Sequence, residues 1–203
     1  MNSAKFWQGI LLAAGRGKRF DASGNLNKLM QLLPSGVTVA GSSAQNILSV
    51  LPATIAVVPP NGNSLARVLE NLGCEITVCA DAQNGMANSL VHALEHSPDD
   101  CSGWVIALAD MPFVQPESIA AIVQALNNGA GIAVPIHQGK RGNPVGFSRD
   151  YLPQLLALTG DQGARSLLKI FPVTEVDVND AGILKDIDVH QDLVLSSNEG
   201  KTK

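Results

Sequence analysis

Residues 9–20 read Gly-Ile-Leu-Leu-Ala-Ala-Gly-Arg-Gly-Lys-Arg-Phe, an apolar run that passes directly into small and basic residues. The short apolar run that ends at Leu12 predicts a buried β-strand, and residues 13–19 predict a tight loop after it. Small residues let backbone N–H groups approach an anion closely, and basic side chains neutralise its charge. The stretch therefore predicts a strand that ends in an anion-binding loop.

Two common classes of phosphate-binding loop do not fit this stretch. A dinucleotide-binding fingerprint needs a third glycine where Phe20 stands, and an acidic residue about twenty positions on, where residues 37–41 contain none. A P-loop needs glycine at Leu12 and a hydroxyl residue where Arg19 follows Lys18. The stretch resembles instead the nucleotidyltransferase pattern Leu-Ala-Ala-Gly-x-Gly-x-Arg-Phe, which is followed shortly by a lysine in an apolar context, here Lys28. The alternative is a tight turn whose charges only face solvent.

The composition indicates a folded single domain. Hydrophobic residues make up 45% of the 203 residues and charged residues 16%, which is enough apolar material for a core. We expect a domain over residues 1–195 and a flexible polar tail over 196–203. A net charge of −4 without a basic stripe argues against nucleic-acid binding. No apolar run reaches the ~20 residues that would span a bilayer, so we expect no membrane association.

The three cysteines form no metal-binding pattern. Cys74, Cys79 and Cys101 lack CxxC spacing, and disulfide pairing would leave one of them over. Buried, reduced thiols in a cytoplasmic protein are the expectation.

Short apolar runs alternate with helix-period segments along the chain. Several of these runs are apolar throughout, which favours strands covered on both faces in a mainly parallel sheet. The predicted strands are 9–12, 54–58, 75–79, 104–108, 131–135, 144–147 and 173–176. The predicted helices are 42–50, 64–72, 87–96, 116–127, 151–158, 164–170 and 190–195. The fold class is therefore α/β, a single-domain three-layer fold whose ligand lies beyond the carboxyl ends of the strands.

Carboxylates follow this pattern at two places. Asp110 comes directly after the apolar strand 104–108, where a Mg²⁺-triphosphate would lie, and Mg²⁺ favours one or two protein carboxylates together with phosphate oxygens. Alternation places Asp186 and Asp188 on one face of an extended segment. Asp188 is a candidate metal ligand, and the alternative is that it caps the helix that begins at His190.

The chain resembles the molybdenum-cofactor nucleotidyltransferases, in particular the molybdopterin cytidylyltransferase-like branch. The motifs that carry the resemblance occur in order: Leu-Ala-Ala-Gly at 12–15, Lys-Leu at 28–29, Gly-Met-Ala-Asn-Ser-Leu at 85–90, Ala-Asp-Met-Pro-Phe-Val at 109–114, Arg-Gly-Asn-Pro-Val-Gly-Phe at 141–147, Gly-Asp-Gln-Gly-Ala-Arg at 160–165 and Asp-Ile-Asp at 186–188. The resemblance implies a Rossmann-like nucleotide-diphospho-sugar transferase fold. It also implies transfer of CMP from CTP, with Mg²⁺, to a phosphorylated pterin-type acceptor with release of pyrophosphate, and contact with a client molybdoenzyme.

The resemblance also implies roles for individual residues. Lys28, Arg19 and Asp110 would be catalytic, and Asp110 and Asp188 would hold Mg²⁺. The nucleotide-binding set would be Leu12, Ala13, Ala14, Gly15, Arg16, Gly17, Lys28, Asn84, Gly85 and Ser89. The acceptor-binding set would be Asn143, Pro144, Asp161, Gly163 and Arg165.

The chain departs from the family pattern in ways that keep alternatives open. Ala109 stands where the family often has glycine, and Val189 follows the Asp-Ile-Asp segment. The alternatives are a transferase of the same fold that uses GTP or a sugar-phosphate acceptor, and a non-catalytic maturation chaperone for a molybdoenzyme. The methyl group of Ala14 narrows the predicted base pocket, which favours a pyrimidine.

Overall fold

The computed structural model describes residues 5–15, 17, 19–21, 26–161 and 163–195, except for the side chains of the last two residues. Its strands are β1 (Trp7–Leu12), β2 (Thr54–Val58), β3 (Glu75–Val78), β4 (Gly103–Leu108), β5 (Ile132–His137), β6 (Lys140–Arg141), β7 (Val145–Ser148) and β8 (Thr174–Asp177). Its α-helices are α1 (Val39–Leu48), α2 (Asn63–Asn71), α3 (Met86–Glu95), α4 (Pro116–Asn127), α5 (Leu152–Leu156) and α6 (His190–Leu195). Shorter 3₁₀ helices span Lys28–Met30, Ala82–Asn84, Arg149–Tyr151, Gly163–Lys169 and Ala181–Leu184.

The strands form one mixed, mostly parallel sheet in the order β3-β2-β1-β4-β7-β5-β6, with β8 paired to β5. The strands β3, β2, β1 and β4 run parallel to one another, and β7 lies antiparallel between β4 and β5. Every residue of β1 and β2 is buried, because helices cover both faces of the sheet. The predicted α/β class with a mainly parallel sheet is confirmed.

Two apolar clusters, one on each face of the sheet, make the fold three-layered. Leu11 of β1 lies in the cluster that α1, α2 and α4 supply. Its neighbours Ile10 and Leu12 lie in the other cluster, with α3, α5 and the Gly163–Lys169 helix. Successive strand residues point to opposite faces, so β1 serves both cores.

Local sequence signals explain where the elements differ from expectation. The helix predicted from residue 42 begins at Val39, because Thr38 caps it by accepting a hydrogen bond from Gly41 N–H at 3.0 Å. The segment predicted as a helix over 164–170 is a 3₁₀ helix instead, and the segment over 151–158 keeps only α5 as α-helix. The two-residue strand β6 was not predicted, since Lys140 and Arg141 carry no apolar pattern.

The sheet reverses its strand order between β1 and β4, and both strands end at the same edge. In the register, Leu12 faces Leu108, so the loop from Ala13 and the turn at Asp110 begin side by side. Ala109 N–H donates to Leu12 O at 3.1 Å and joins the two strand ends. Ligands bind at such reversal points in open α/β sheets.

Among the described residues, no helix has the length and apolar character needed to cross a membrane. The expected tail at 196–203 lies outside the described residues, so the domain boundary stays a prediction.

Candidate active site

Lys28 lies at the centre of a cluster of charges at the reversal point of the sheet. Its ammonium Nζ donates to Asp110 Oδ2 at 2.7 Å and lies 3.4 Å from Asp188 Oδ1. The Lys28 side chain is only 8% exposed, whereas those of Asp110 and Asp188 are 23% and 27% exposed. The lysine therefore contacts the carboxylates from the protein interior, and both carboxylates remain partly exposed to solvent.

Arg19 approaches the same cluster from the solvent side. Its guanidinium pairs with Asp188 Oδ2 at 2.5 Å, and its side chain is 80% exposed. A pair this exposed contributes at most about 1 kcal/mol to stability, because water and salt screen it. Arg19 is therefore free to exchange Asp188 for another anion at little energetic cost.

A third carboxylate completes the cluster. Carboxylate oxygens of Asp110, Asp186 and Asp188 all lie within 4.8 Å of one another. Partial burial raises the pKa of Asp186, and the negative charge of Asp188 raises it further. Both causes disfavour a third bare carboxylate, so the cluster favours an additional cation.

A backbone hydrogen bond holds the extended segment 186–188 against the Asp110 turn. Ile187 N–H donates to Asp110 O at 2.8 Å, and its side chain is fully buried. The acids on either side of Ile187 therefore point away from the core together. The carboxylate of Asp192, and not that of Asp188, accepts the N–H groups before α6, from Asp188 and Val189 at 2.7 and 2.8 Å. The Asp188 side chain is thus engaged with Lys28 and Arg19 and not in capping.

The donor set fits a hard divalent cation. Three carboxylates offer only oxygen ligands, as Mg²⁺ and Mn²⁺ prefer, and they leave room for phosphate oxygens and water. Lys28 and Arg19 together balance two of the three negative charges. The predicted ligands Asp110 and Asp188 thus lie together, and Asp186 belongs with them. The sequence signal for Asp186 was its alternation with Asp188.

A cleft of about 350 Å³, the loop cleft, opens above this cluster. The three predicted catalytic residues Arg19, Lys28 and Asp110 line it. The other residues of the predicted nucleotide-binding set that line it are Leu12, Ala14, Gly15, Gly85 and Ser89. Ala13 is buried beneath the loop at 1% exposure and does not line the cleft. Asn84 and Gly17 do not line it either. Arg16 lies outside the described residues.

Two glycines permit close packing around this cleft. Gly17 has a φ of +56°, and a Cβ there would lie 3.4 Å from Lys28 Cγ, so the loop packs on the stem of the lysine. Gly85 has a φ of +128°, and a Cβ there would lie 2.5 Å from Gly160 O. Ala87 N–H donates to the same Gly160 oxygen at 3.1 Å. Glycine at 85 therefore lets the start of α3 contact the loop at 160–161 closely.

A second cleft of about 540 Å³, the side cleft, continues from the first. The two clefts share Leu12, Met86, Leu108 and Asp161. Three residues of the predicted acceptor set, Asn143, Asp161 and Arg165, line the side cleft. Pro144 instead lines a small internal cavity, and Gly163 is buried against Met86. Several lining residues had no predicted role, and the polar ones among them are Gln83 and Lys169.

The histidines and cysteines have structural surroundings. His92 Nε2 lies 2.8 Å from Thr77 Oγ1, and its ring packs 4.3 Å from that of His96 on one side of α3. His137 Nδ1 lies 3.0 Å from Val178 O. All three cysteines are buried, unpaired thiols, and burial raises their pKa values, that of Cys74 to about 11.

Comparison with known proteins gives this site a context. Residues 9–178 match the MobA-like NTP transferase domain. The purine catabolism protein PucB of Bacillus subtilis is 28% identical over 199 residues, which cover 91% of this chain and 92% of PucB. The crystal structure of Rv0371c from Mycobacterium tuberculosis superposes with a TM-score of 0.82 at 27% identity, covering 95% and 97% of the two chains. A manganese complex of Rv0371c superposes with a TM-score of 0.72 at 26% identity, covering 87% and 89%.

A three-layer α/β fold with a glycine-rich loop and an acidic cluster at the reversal of its sheet defines a nucleotidyltransferase domain. This chain belongs to the family of MobA-like NTP transferase domains.

Proposed function

We propose that this protein transfers CMP from CTP to a phosphorylated, pterin-type acceptor and releases pyrophosphate. The observation that carries the proposal is the contact of the Lys28 ammonium with Asp110 at 2.7 Å, at the floor of the loop cleft. A buried cation beside a carboxylate cluster can offset the negative charge of the carboxylates and of the phosphates that bind near them.

In the proposed reaction an anionic phosphate oxygen of the acceptor attacks the α-phosphorus of CTP. A new P–O bond forms, the bond to the β-phosphate breaks, and pyrophosphate leaves with its electron pair. Such a displacement requires positioning and neutralisation of charge and no general base, since the attacking oxygen is already ionised. Lys28 and Arg19 lie where they can hold the phosphate oxygens, and the backbone around Gly15 approaches them without a side chain in the way.

Asp110, Asp186 and Asp188 would hold Mg²⁺ in this scheme, and the metal would supply charge neutralisation at the transferring phosphate. The manganese complex of Rv0371c supports a divalent ion in a protein of this fold. The three carboxylates of this chain offer the oxygen ligands that such an ion prefers.

The nucleotide is assigned to the loop cleft and the acceptor to the side cleft. Ala14 lines the loop cleft, where its methyl group restricts the room for a base and favours cytosine over a purine. The resemblance of the motifs to the molybdenum-cofactor nucleotidyltransferases supports a pterin-type acceptor, and the product would then pass to a molybdoenzyme client. This chemistry belongs in the cytoplasm, where nucleoside triphosphates are available.

Mass spectrometry of products tests the proposal. The protein is incubated with Mg²⁺, an equal mixture of CTP and GTP, and a mixture of phosphorylated pterins, with glucose 1-phosphate in a parallel reaction. A CMP–pterin conjugate and stoichiometric pyrophosphate are expected. A GMP conjugate or a nucleotide sugar would replace the proposed substrates with other ones. Tight binding to a molybdoenzyme without product from either triphosphate would establish a chaperone instead.

A further inference from the structure

Asp180 carries a buried carboxylate that the proposed reaction does not use. The residue is only 7% exposed and lines neither cleft. No lysine or arginine in the described part of the chain pairs with it. Its oxygens accept three hydrogen bonds instead. Oδ2 accepts from Gln115 N–H at 2.8 Å and from the Ser118 hydroxyl at 2.7 Å, and Oδ1 accepts from Gly182 N–H at 2.8 Å. The carboxylate therefore fixes the positions of these donors relative to one another.

The donors belong to the two segments that carry the candidate metal ligands. Gln115 and Ser118 lie at the start of α4, shortly after the Asp110 turn. Gly182 lies shortly before the extended segment 186–188, which carries the other two acids. The buried carboxylate therefore joins the chain that follows one candidate ligand to the chain that precedes the other two.

These two segments lie side by side and run in opposite directions. The hydrogen bond from Ile187 to Asp110 joins them at one end, and the Asp180 carboxylate joins them at the other. Between the two ends the backbones are in contact, because a Cβ at Gly182 would overlap the carbonyl oxygen of Phe113. Since both ends are tied, the fold itself sets the distance between Asp110 and the acids on either side of Ile187.

The segment that leads to the acids has further ties that do not involve Asp180. Asn143 N–H donates to Ile183 O at 3.0 Å, and the side chains of Ile183 and Ile187 are fully buried. Loss of the Asp180 hydrogen bonds is therefore expected to shift this segment and not to unfold it.

We propose that Asp180 is a positioning residue, which holds Asp186 and Asp188 opposite Asp110 at the spacing that a divalent ion requires. The inference deepens the proposed function and rests on it for the role of the three acids as metal ligands. Asp180 contacts neither the ion nor the nucleotide and acts through the backbone of the two segments. Groups that orient metal ligands in this way typically contribute about tenfold or more to metal affinity.

Asp180→Asn tests the inference, because the amide keeps the size of the side chain but offers one acceptor oxygen in place of two. Whichever way the amide is oriented, the N–H group of either Gly182 or Gln115 loses its acceptor. The dissociation constant for Mn²⁺, measured by electron paramagnetic resonance of the free ion without nucleotide or acceptor, is expected to rise about tenfold. Asp110→Asn removes a candidate ligand and gives the reference for full loss of binding.

The matched control is Ser97→Ala, which removes a partly buried hydrogen bond far from the acids. Ser97 Oγ accepts from Nε1 of Trp104 at 3.0 Å, at the opposite end of β4 from Asp110. Urea denaturation is expected to show lower stability in both variants, with weaker Mn²⁺ binding in Asp180→Asn alone. An unchanged Mn²⁺ dissociation constant in Asp180→Asn, or an equal rise in Ser97→Ala, would overturn the positioning role.

Ser118→Ala is the second variant, used if Asp180→Asn does not fold. It removes one of the two donors to Oδ2 of Asp180 and leaves both backbone donors in place. The Mn²⁺ dissociation constant is expected to rise about threefold, as for the loss of one hydrogen bond, and an unchanged value would overturn the inference.

Binding of Mn²⁺ requires no turnover, so failure of this inference is distinguishable from failure of the proposed function. Binding that depends on Asp180, together with no transfer of CMP, would reject the proposed reaction and leave the positioning role. Transfer of CMP, together with binding that does not depend on Asp180, would reject the positioning role alone. Wild-type protein that binds no Mn²⁺ would overturn the metal site and the positioning role with it.

Discussion

Lys28 and Asp110 form an ion pair of 2.7 Å across 82 residues of chain, and this pair joins the two halves of the candidate site. Lys28 follows the glycine-rich loop, and Asp110 ends the turn after β4. The same ammonium lies 3.4 Å from Asp188, so one cation holds two carboxylates near each other. A divalent ion that uses both carboxylates would compete with Lys28 for them. The lysine would then be released toward the phosphates of the nucleotide.

Replacing Lys28 therefore tests two effects, namely how much the lysine stabilises the fold and whether it competes with a metal ion for the carboxylates. Lys28→Met is expected to lower the free energy of unfolding by about 1–3 kcal/mol without metal, because Asp110 loses its ion-pair partner and Asp188 keeps only Arg19. Added Mn²⁺ is expected to raise the melting temperature of this variant by more than that of the wild type, since the ion no longer competes with the ammonium. Thermal denaturation with EDTA and with Mn²⁺ measures both effects. An equal or smaller Mn²⁺ shift in Lys28→Met would contradict the competition.

The methyl group of Ala14 is expected to control the choice of base. Ala14→Gly enlarges the loop cleft at a position that lines it, and it should lower the preference for CTP over GTP about tenfold. Ratios of kcat/KM for the two triphosphates measure the effect. The control is Ala66→Gly on α2, which makes the same substitution away from the cleft and so accounts for the added backbone flexibility. Gly15→Ala does not serve as a control, because Gly15 also lines the cleft. A preference that survives in Ala14→Gly would remove Ala14 from base selection.

Close packing at Gly85 is expected to make this glycine irreplaceable. A Cβ at Gly85 would lie 2.5 Å from a backbone oxygen of Gly160, in addition to the strain of a φ of +128°. Gly85→Ala should therefore cost about 1–3 kcal/mol more than Gly73→Ala, whose φ of +107° is similarly strained but whose added Cβ meets nothing within 4 Å. Urea denaturation of the two variants gives the difference. Equal losses would mean that the contact between residues 85 and 160 is loose.

The pH dependence of stability contains a contribution from His92. Burial, followed by the nearby charge of His96, lowers the pKa of His92 in the folded protein below its ordinary value of 6.5. As the pH falls below 6.5, His92 takes up a proton in the unfolded chain before it does so in the folded protein. The free energy of unfolding therefore falls with pH from 6.5 until the pH passes the lowered pKa of the folded protein. His92→Gln is expected to flatten this fall, and His96→Gln to reduce it. Urea denaturation between pH 7.5 and 5 measures the slopes, and a wild-type slope in His92→Gln would contradict the assignment.

Much of the fold could be predicted from short-range patterns. The apolar runs at 54–58 and 104–108 were strong signals because they are buried on both faces, and Pro116 marked the start of α4 correctly. The pairing of strands was harder to predict. The strand β6 has two charged residues and exists only because β5 pairs with it. The Gly163–Lys169 segment has an apolar period that both α and 3₁₀ geometry can satisfy.

The site was only partly visible in the sequence for a similar reason. Lys28, Asp110 and Asp188 come from three distant segments, and the roles expected of them came from the resemblance of their motifs to the family. The contacts between them depend on the register of β1 and β4 and on the hydrogen bond from Ile187 to Asp110. Lys169 belongs to no motif, and only the folding of its helix along the side cleft places it beside Arg165.

The most direct test of the central claim compares Asp110→Asn with Asp99→Asn in the release of pyrophosphate from CTP. Asp99 is an exposed carboxylate before β4, at the opposite end of the strand from Asp110, so its variant controls for the loss of one charge. With Mg²⁺ and a phosphorylated pterin, Asp110→Asn is expected to lower the rate at least about a thousandfold while circular dichroism and the melting transition remain those of a folded protein. Asp99→Asn is expected to match the wild type. Pyrophosphate release by Asp110→Asn at the wild-type rate would contradict the assignment of nucleotidyl transfer to this site.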